Sequence, residues 1–271
     1  MKQTIKSLIM SLLFLLISTL SYAEIKTFTC TVKQPFGGSQ SPDDARIASI
    51  AKAKREVLEL AGTYLESLTV VKNVVVVKDE ILAIAAGVLK TKIVSQKNYA
   101  TEDAFGIVVV AEVEVDTNIM EKRVKRLLQD STLLKKYRKI QQREKELLAK
   151  VEKLEKLNRK FRSSTSQEQE LEKENLKKSF KKVSNSLKAV KWKKKALALW
   201  DNGEYTDPIR ALGYLNKAIY INPYDADTHI DRGIAYANIG DINKMCSDFR
   251  KACELGNCTA ITSVKKNGNC R

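Results

Sequence analysis

The sequence predicts three parts: an α+β N-terminal domain with a small antiparallel sheet and helices, then long coiled-coil helices, then an all-α helical repeat domain. Three observations predict it. β-branched runs with period two cluster before residue 118. Heptads then run through a segment of very high charge. A self-similarity near thirty-four residues occupies the end.

Residues 1–23, "MKQTIKSLIMSLLFLLISTLSYA", place Lys2 and Lys6 before an apolar run and small residues at Ser21 and Ala23. That order predicts a secretory signal peptide cleaved after Ala23. The apolar run is shorter than the ~20 residues that span a bilayer. The expectation is a soluble, exported, periplasmic protein in an oxidising compartment.

The formal net charge is +16, and Glu121 to Lys195 alone holds 26 Lys and Arg against 10 Asp and Glu. The whole excess therefore belongs to one middle element. A basic balance confined to such a helix reads first as its solvated face.

Residues 24–120 predict an α+β envelope module. "EIKTFTCTV", "LTVVKNVVVV", "KTKIVSQKNY" and "GIVVVAEVEV" read as strands. Ser41-Pro42-Asp43-Asp44 reads as an N-cap with an acidic first turn. The helix that follows places Ala45, Ala48, Ala51, Val57, Leu58 and Ala61 near one face, and "DEILAIAAGVL" gives a second, short helix. The run "DARIASIAKAKREVLELAGTYLES", then "KDEILAIAAGVL", then "VAEVEVDT", resembles the N-terminal module of the flagellar assembly protein T family. The resemblance implies packing and attachment near envelope machines, without chemistry. The further domains of that family's flagellar member are absent here.

Residues 121–194 predict a basic coiled coil, broken near 162–167. Leu133, Ile140, Leu147, Leu154 and Phe161 recur by sevens, with Tyr137, Glu144, Val151 and Asn158 at the a positions between them. Glu144 and Asn158 are costly in a seam and fix register or mark a weak stretch. Thr165 and Glu168 have capping-box spacing. Leu176, Phe180, Val183 and Leu187 resume the pattern in a shifted frame. Two helices therefore fold back as a hairpin or continue as a bent homo-oligomeric coil; both readings stand.

Residues 195–271 predict two repeats with a capping helix. Ala211, Leu215, Ala218 and Ile219 recur as Met245, Phe249, Ala252 and Cys253. Gly233, Tyr236, Gly240, Phe249 and Ala252 resemble the tetratricopeptide repeat, with His229 and Arg232 as departures. The resemblance implies helix pairs that stack to bury a shared core and present a groove. Lys195, Leu199, His229, Arg232 and Tyr236 are the candidate partner-binding groove.

Little points to catalysis. No nucleophile elbow, phosphate-binding glycine loop or metalloprotease helix is present. The sequence predicts no enzyme, no cofactor and no metal. The basic surface candidates are Lys191, Lys193, Lys194 and Lys195 beside Trp192, suited to an anionic envelope surface; export makes nucleic acid a poor partner. Cys258 and Cys270 are the expected disulfide, with Cys253 to Cys270 second; Cys246 and Cys253 lie too far apart on one helix to bridge. Cys30 is expected to pack in the sheet. The functional expectation is a non-enzymatic exported adaptor or scaffold that binds a protein partner through its repeats, near an envelope assembly. The alternative is a structural protein binding anionic lipid or glycan through the basic coil, with the repeats used for self-association.

Overall fold

Period-two alternation before residue 118 produces three strands, β1 (Ile25–Phe36), β2 (Thr91–Ala100) and β3 (Phe105–Asp116). The computed structural model describes residues 25–71, 81–101, 105–161, 167–266, 268 and 270. The segment expected to be a signal peptide, and the expected break with Thr165, lie outside the described residues. β3 is central and pairs antiparallel with both neighbours, in the order β1-β3-β2. Its Ile107, Val109, Ala111, Val113 and Val115 are buried, while Thr29, Thr31 and Lys33 of β1 and Glu114 of β3 are exposed on the other face.

Helix α1 (Pro42–Val71) covers the apolar face, and α2 (Ile81–Val88) packs against α1. The start of α1 is a reciprocal cap: the Asp44 N–H donates to Ser41 Oγ at 3.1 Å, and the Ser41 hydroxyl donates to the Asp44 carboxylate at 2.7 Å. Ala45, Ala48, Ala53 and Ala61 are buried, so small side chains let α1 lie close on the sheet. The strand expected at 68–77 is corrected in part. Residues 68–71 belong to α1, because extending an existing helix adds a hydrogen bond per residue and outweighs the β preference of Val70 and Val71. Residues 72–80 lie outside the described residues.

The charged middle forms α3 (Thr117–Gln129), α4 (Ser131–Phe161) and α5 (Gln167–Leu197). α4 and α5 run antiparallel against each other, and both also pack on the N-terminal layer. Tyr137, Ile140, Leu147 and Val151 are buried in the same apolar core as the sheet. The polar residues at the a positions have partners within the chain. Glu144 accepts from Lys194 at 2.7 Å. Asn158 donates to the Gly37 carbonyl at 2.7 Å and accepts from the Ser39 N–H at 2.8 Å.

Beyond α5 a two-residue hairpin joins β4 (Trp200–Asp201) to β5 (Glu204–Tyr205). Asn202 and Gly203 at φ 48° and 93° supply its tight turn. Then come α6 (Pro208–Ile221), α7 (Ala226–Asn238), α8 (Ile242–Glu254) and α9 (Thr259–Lys266), each packed on the next. Asp207 caps α6 and Asp241 caps α8, each accepting from a backbone N–H three residues on. α7 and α8 meet at Gly233, where a Cβ would stand 2.4 Å from the Phe249 ring.

Candidate functional site

Of the five residues expected to line a groove, His229 is buried, Leu199, Arg232 and Tyr236 are half-buried, and Lys195 is exposed. His229 is 5% exposed. Its Nδ1 lies 3.2 Å from Asp248 and its Nε2 lies 3.1 Å from the Pro223 carbonyl. Both ring nitrogens thus face oxygen atoms of the chain. Arg232 donates twice to the same carboxylate, at 2.8 and 2.7 Å, and once to Asn216. Burial pushes the Asp248 carboxyl up, but bonds from Arg232 and His229 outweigh it and hold the group below the usual range. His229 and Arg232 are therefore corrected from groove to clamp: they tie α7 to α8 through Asp248. Leu199 is corrected too, because α5 ends at Leu197 and Leu199 turns into the hairpin, where its carbonyl accepts from Thr206. Tyr236 is half-buried, with the Arg232 and Lys244 charges at 6.0 and 5.3 Å from its ring.

The basic stretch "KWKKK" divides in two. Lys193 is buried, with its ammonium 3.4 Å from Asp225 and 3.6 Å from Asp231. Burial pulls its pKa down, yet Asp231 and Asp225 hold it above the ordinary lysine value. Lys194 pairs with Glu144. Lys193 is corrected from surface to interior, and the half-buried Lys194 from open surface to an intramolecular pair, because α7 and α4 bring carboxylates to their side of α5. Lys191 and Lys195 remain exposed. The Lys195 ammonium sits 4.5 Å from the Trp192 ring and 5.6 Å from that of Tyr214, on α6.

The N-terminal half of α7 meets α4 through charge. Asp231 pairs with Lys136, and Asp227 pairs with Lys139 at 2.7 Å. Lys136 also stands 4.4 Å over Trp200. These contacts lock the α6–α9 helices onto the rest of the molecule.

The cysteines form two bridges, Cys246–Cys270 and Cys253–Cys258, with Cα separations of 5.3 and 4.0 Å. The expected Cys258–Cys270 pairing is corrected, as is Cys253–Cys270. Cys258 and Cys270 lie at opposite ends of α9, whose eight residues span ~12 Å, beyond the ~7 Å reach of a disulfide. At the end of α8, Gly256 at φ 95° and the Asn257 N–H bond to Ala252 reverse the chain, setting Cys258 against Cys253. A second reversal at Gly268 returns Cys270 to Cys246. Such pairs belong to an oxidising compartment. Cys30 is a free thiol 3.1 Å from Glu56, and burial followed by that carboxylate pushes it up to about 11.

Among the described residues, no three His, Cys, Asp or Glu side chains are grouped to hold a metal ion. No helix there is long and apolar enough to cross a membrane. A cavity of about 330 Å³ between α1 and α4 is lined by Lys52, Arg55, Glu56, Lys145, Glu152 and Glu155, a mixture of both charges. The Asn-Gly hairpin and the Asp248 clamp are the features that sequence reading missed. "DNG" between Trp200 and Tyr205 is a signal for the first, and none marks the second. Comparison of the chain with family models, curated proteins and solved structures finds no match to any of them.

Proposed function

We propose that the chain is a non-enzymatic, exported, periplasmic adaptor, whose tetratricopeptide-like helices α6–α9 bind a protein partner near an envelope assembly. The observation that carries this reading is the corner between α6 and α7. Tyr220 is 90% exposed and Tyr224 is 78% exposed, on either side of Pro223. Tyr220 in the last turn of α6 and Tyr224 in the turn before α7 are two large aromatic side chains in water, of the kind enriched at protein interfaces. Each tyrosine has two χ angles, so it offers a large contact area for a small ordering cost on binding.

Immobilised wild-type protein is expected to retain specific envelope proteins from a periplasmic extract, and Tyr220→Ala with Tyr224→Ala to lose them at unchanged helicity and thermal midpoint. Equal retention by the variant rules out this corner as the interface.

A further inference from the structure

The junction of α5 with α6, which α1 approaches, gathers cations that form no ion pair among the described residues. On α5, Lys191 and Lys195 are exposed. On α6, Lys217 is exposed, with its ammonium 4.7 Å from the Trp192 ring that Lys195 also covers. Trp192 and Tyr214 stack at 5.9 Å beneath them. From α1, Lys54 approaches the same place: burial first, and then repulsion from Lys191 and Lys194, push its pKa below the ordinary lysine value. Glu144, the carboxylate that acts on Lys54, is already held by Lys194 at 2.7 Å. Asp43, further along α1, is held by Arg46 and Lys188.

The contrast with neighbouring lysines is informative. Lys193, Lys194 and Lys188 lie on the same helix, and each has a carboxylate partner. Like charges drawn together by packing repel one another, and cation–π contact returns only ~0.5–1 kcal/mol at an exposed site. A multivalent anion relieves that repulsion, and ammonium groups on flexible stems suit phosphate oxygens as point charges.

We propose that this junction is a binding site for a phosphate-bearing ligand, with Lys191, Lys195 and Lys217 as its cations and the Trp192–Tyr214 pair as its floor. The site stands independently of the adaptor reading, since the Tyr220–Tyr224 corner takes no part in it. Phosphate could be presented free in solution or as the headgroups of an anionic lipid surface, and the two sources are separable.

The test uses the full-length protein and two probes: inorganic pyrophosphate by titration calorimetry, and co-sedimentation with vesicles of phosphatidylcholine containing phosphatidylglycerol. Lys195→Gln with Lys217→Gln is expected to weaken binding by about tenfold or more. Lys178→Gln with Lys181→Gln removes the same charge elsewhere on the exposed side of α5 and is expected to leave binding within about twofold. Pyrophosphate binding that also displaces the protein from vesicles identifies a free phosphate ligand; binding to the anionic vesicles alone identifies lipid headgroups. Equal losses in the two variants would show a net-charge effect and overturn the site. So would binding to neither probe, or equal binding to pure phosphatidylcholine vesicles.

Discussion

Asp248 is the residue on which the C-terminal helices turn. It is 4% exposed and takes bonds from both Arg232 and His229. Asp248→Asn leaves a guanidinium and an imidazole facing each other without an anion, and it is expected to cost about 3 kcal/mol in urea unfolding. Because the folded-state pKa of Asp248 is depressed, its contribution is present above the unfolded value near 3.9 and is lost as pH falls through the lower folded value. The thermal midpoint of the wild type is therefore expected to drop below about pH 4 more steeply than that of the Asn variant. Gly233→Ala sets a methyl against the Phe249 ring and is expected to cost about 1–3 kcal/mol by the same measurement. The Gly233–Phe249 contact was legible, since both residues fit the repeat pattern. The Asp248 clamp was not. Periodicity marks apolar positions, whereas a buried carboxylate in a helix reads from sequence as one more solvated charge.

At the scale of elements, the cysteine pattern shows how far spacing carries. It excludes Cys246–Cys253, because a seven-residue helical step is too long, and the structure agrees. The actual pairings depend on two chain reversals, at Gly256 and Gly268, which bring residues from different turns together. Non-reducing peptide mapping is expected to give Cys246–Cys270 and Cys253–Cys258. In the chain-entropy picture the longer loop contributes about 3.5 kcal/mol and the shorter about 2 kcal/mol. Cys246→Ser with Cys270→Ser should therefore lower the thermal midpoint more than Cys253→Ser with Cys258→Ser. The helices α4 and α5 were legible from heptads, but their covering was not. A heptad shows that a face is apolar and leaves open whether a second copy or the same chain buries it. Here Glu144 and Asn158 reach partners within the chain.

At the scale of the whole molecule, the N-terminal layer, the middle helices and α6 share one core, while Met245, Cys246, Phe249, Ile261 and Cys270 form a second, smaller one in the C-terminal helices. Buried residues run without interruption from Val109 in the sheet through Leu147 and Val190 to Leu215. Calorimetry is expected to show a single unfolding transition for the chain, and two resolved transitions would contradict a shared core. The net charge was legible, and its distribution was not. Several basic residues of the middle segment are bound internally, among them Lys136, Lys139, Lys193 and Lys194. A partner therefore meets a weaker and more localised field than the composition suggests.

The order of strands in the sheet bears on when this fold can form. β1 begins at Ile25, but its neighbour is β3, and Ile25 lies opposite Asp116. The Asn158 contact with Ser39 spans 119 residues, and the Lys188 contact with Asp43 spans 145. Contacts so distant in sequence make folding slow, since the intervening loops must close before any pairing rewards them. During synthesis the first strand stays unpaired until the third has emerged, and the helices that pin its loop come later still. A chain arranged in this way cannot complete its N-terminal layer until residue 188 has emerged.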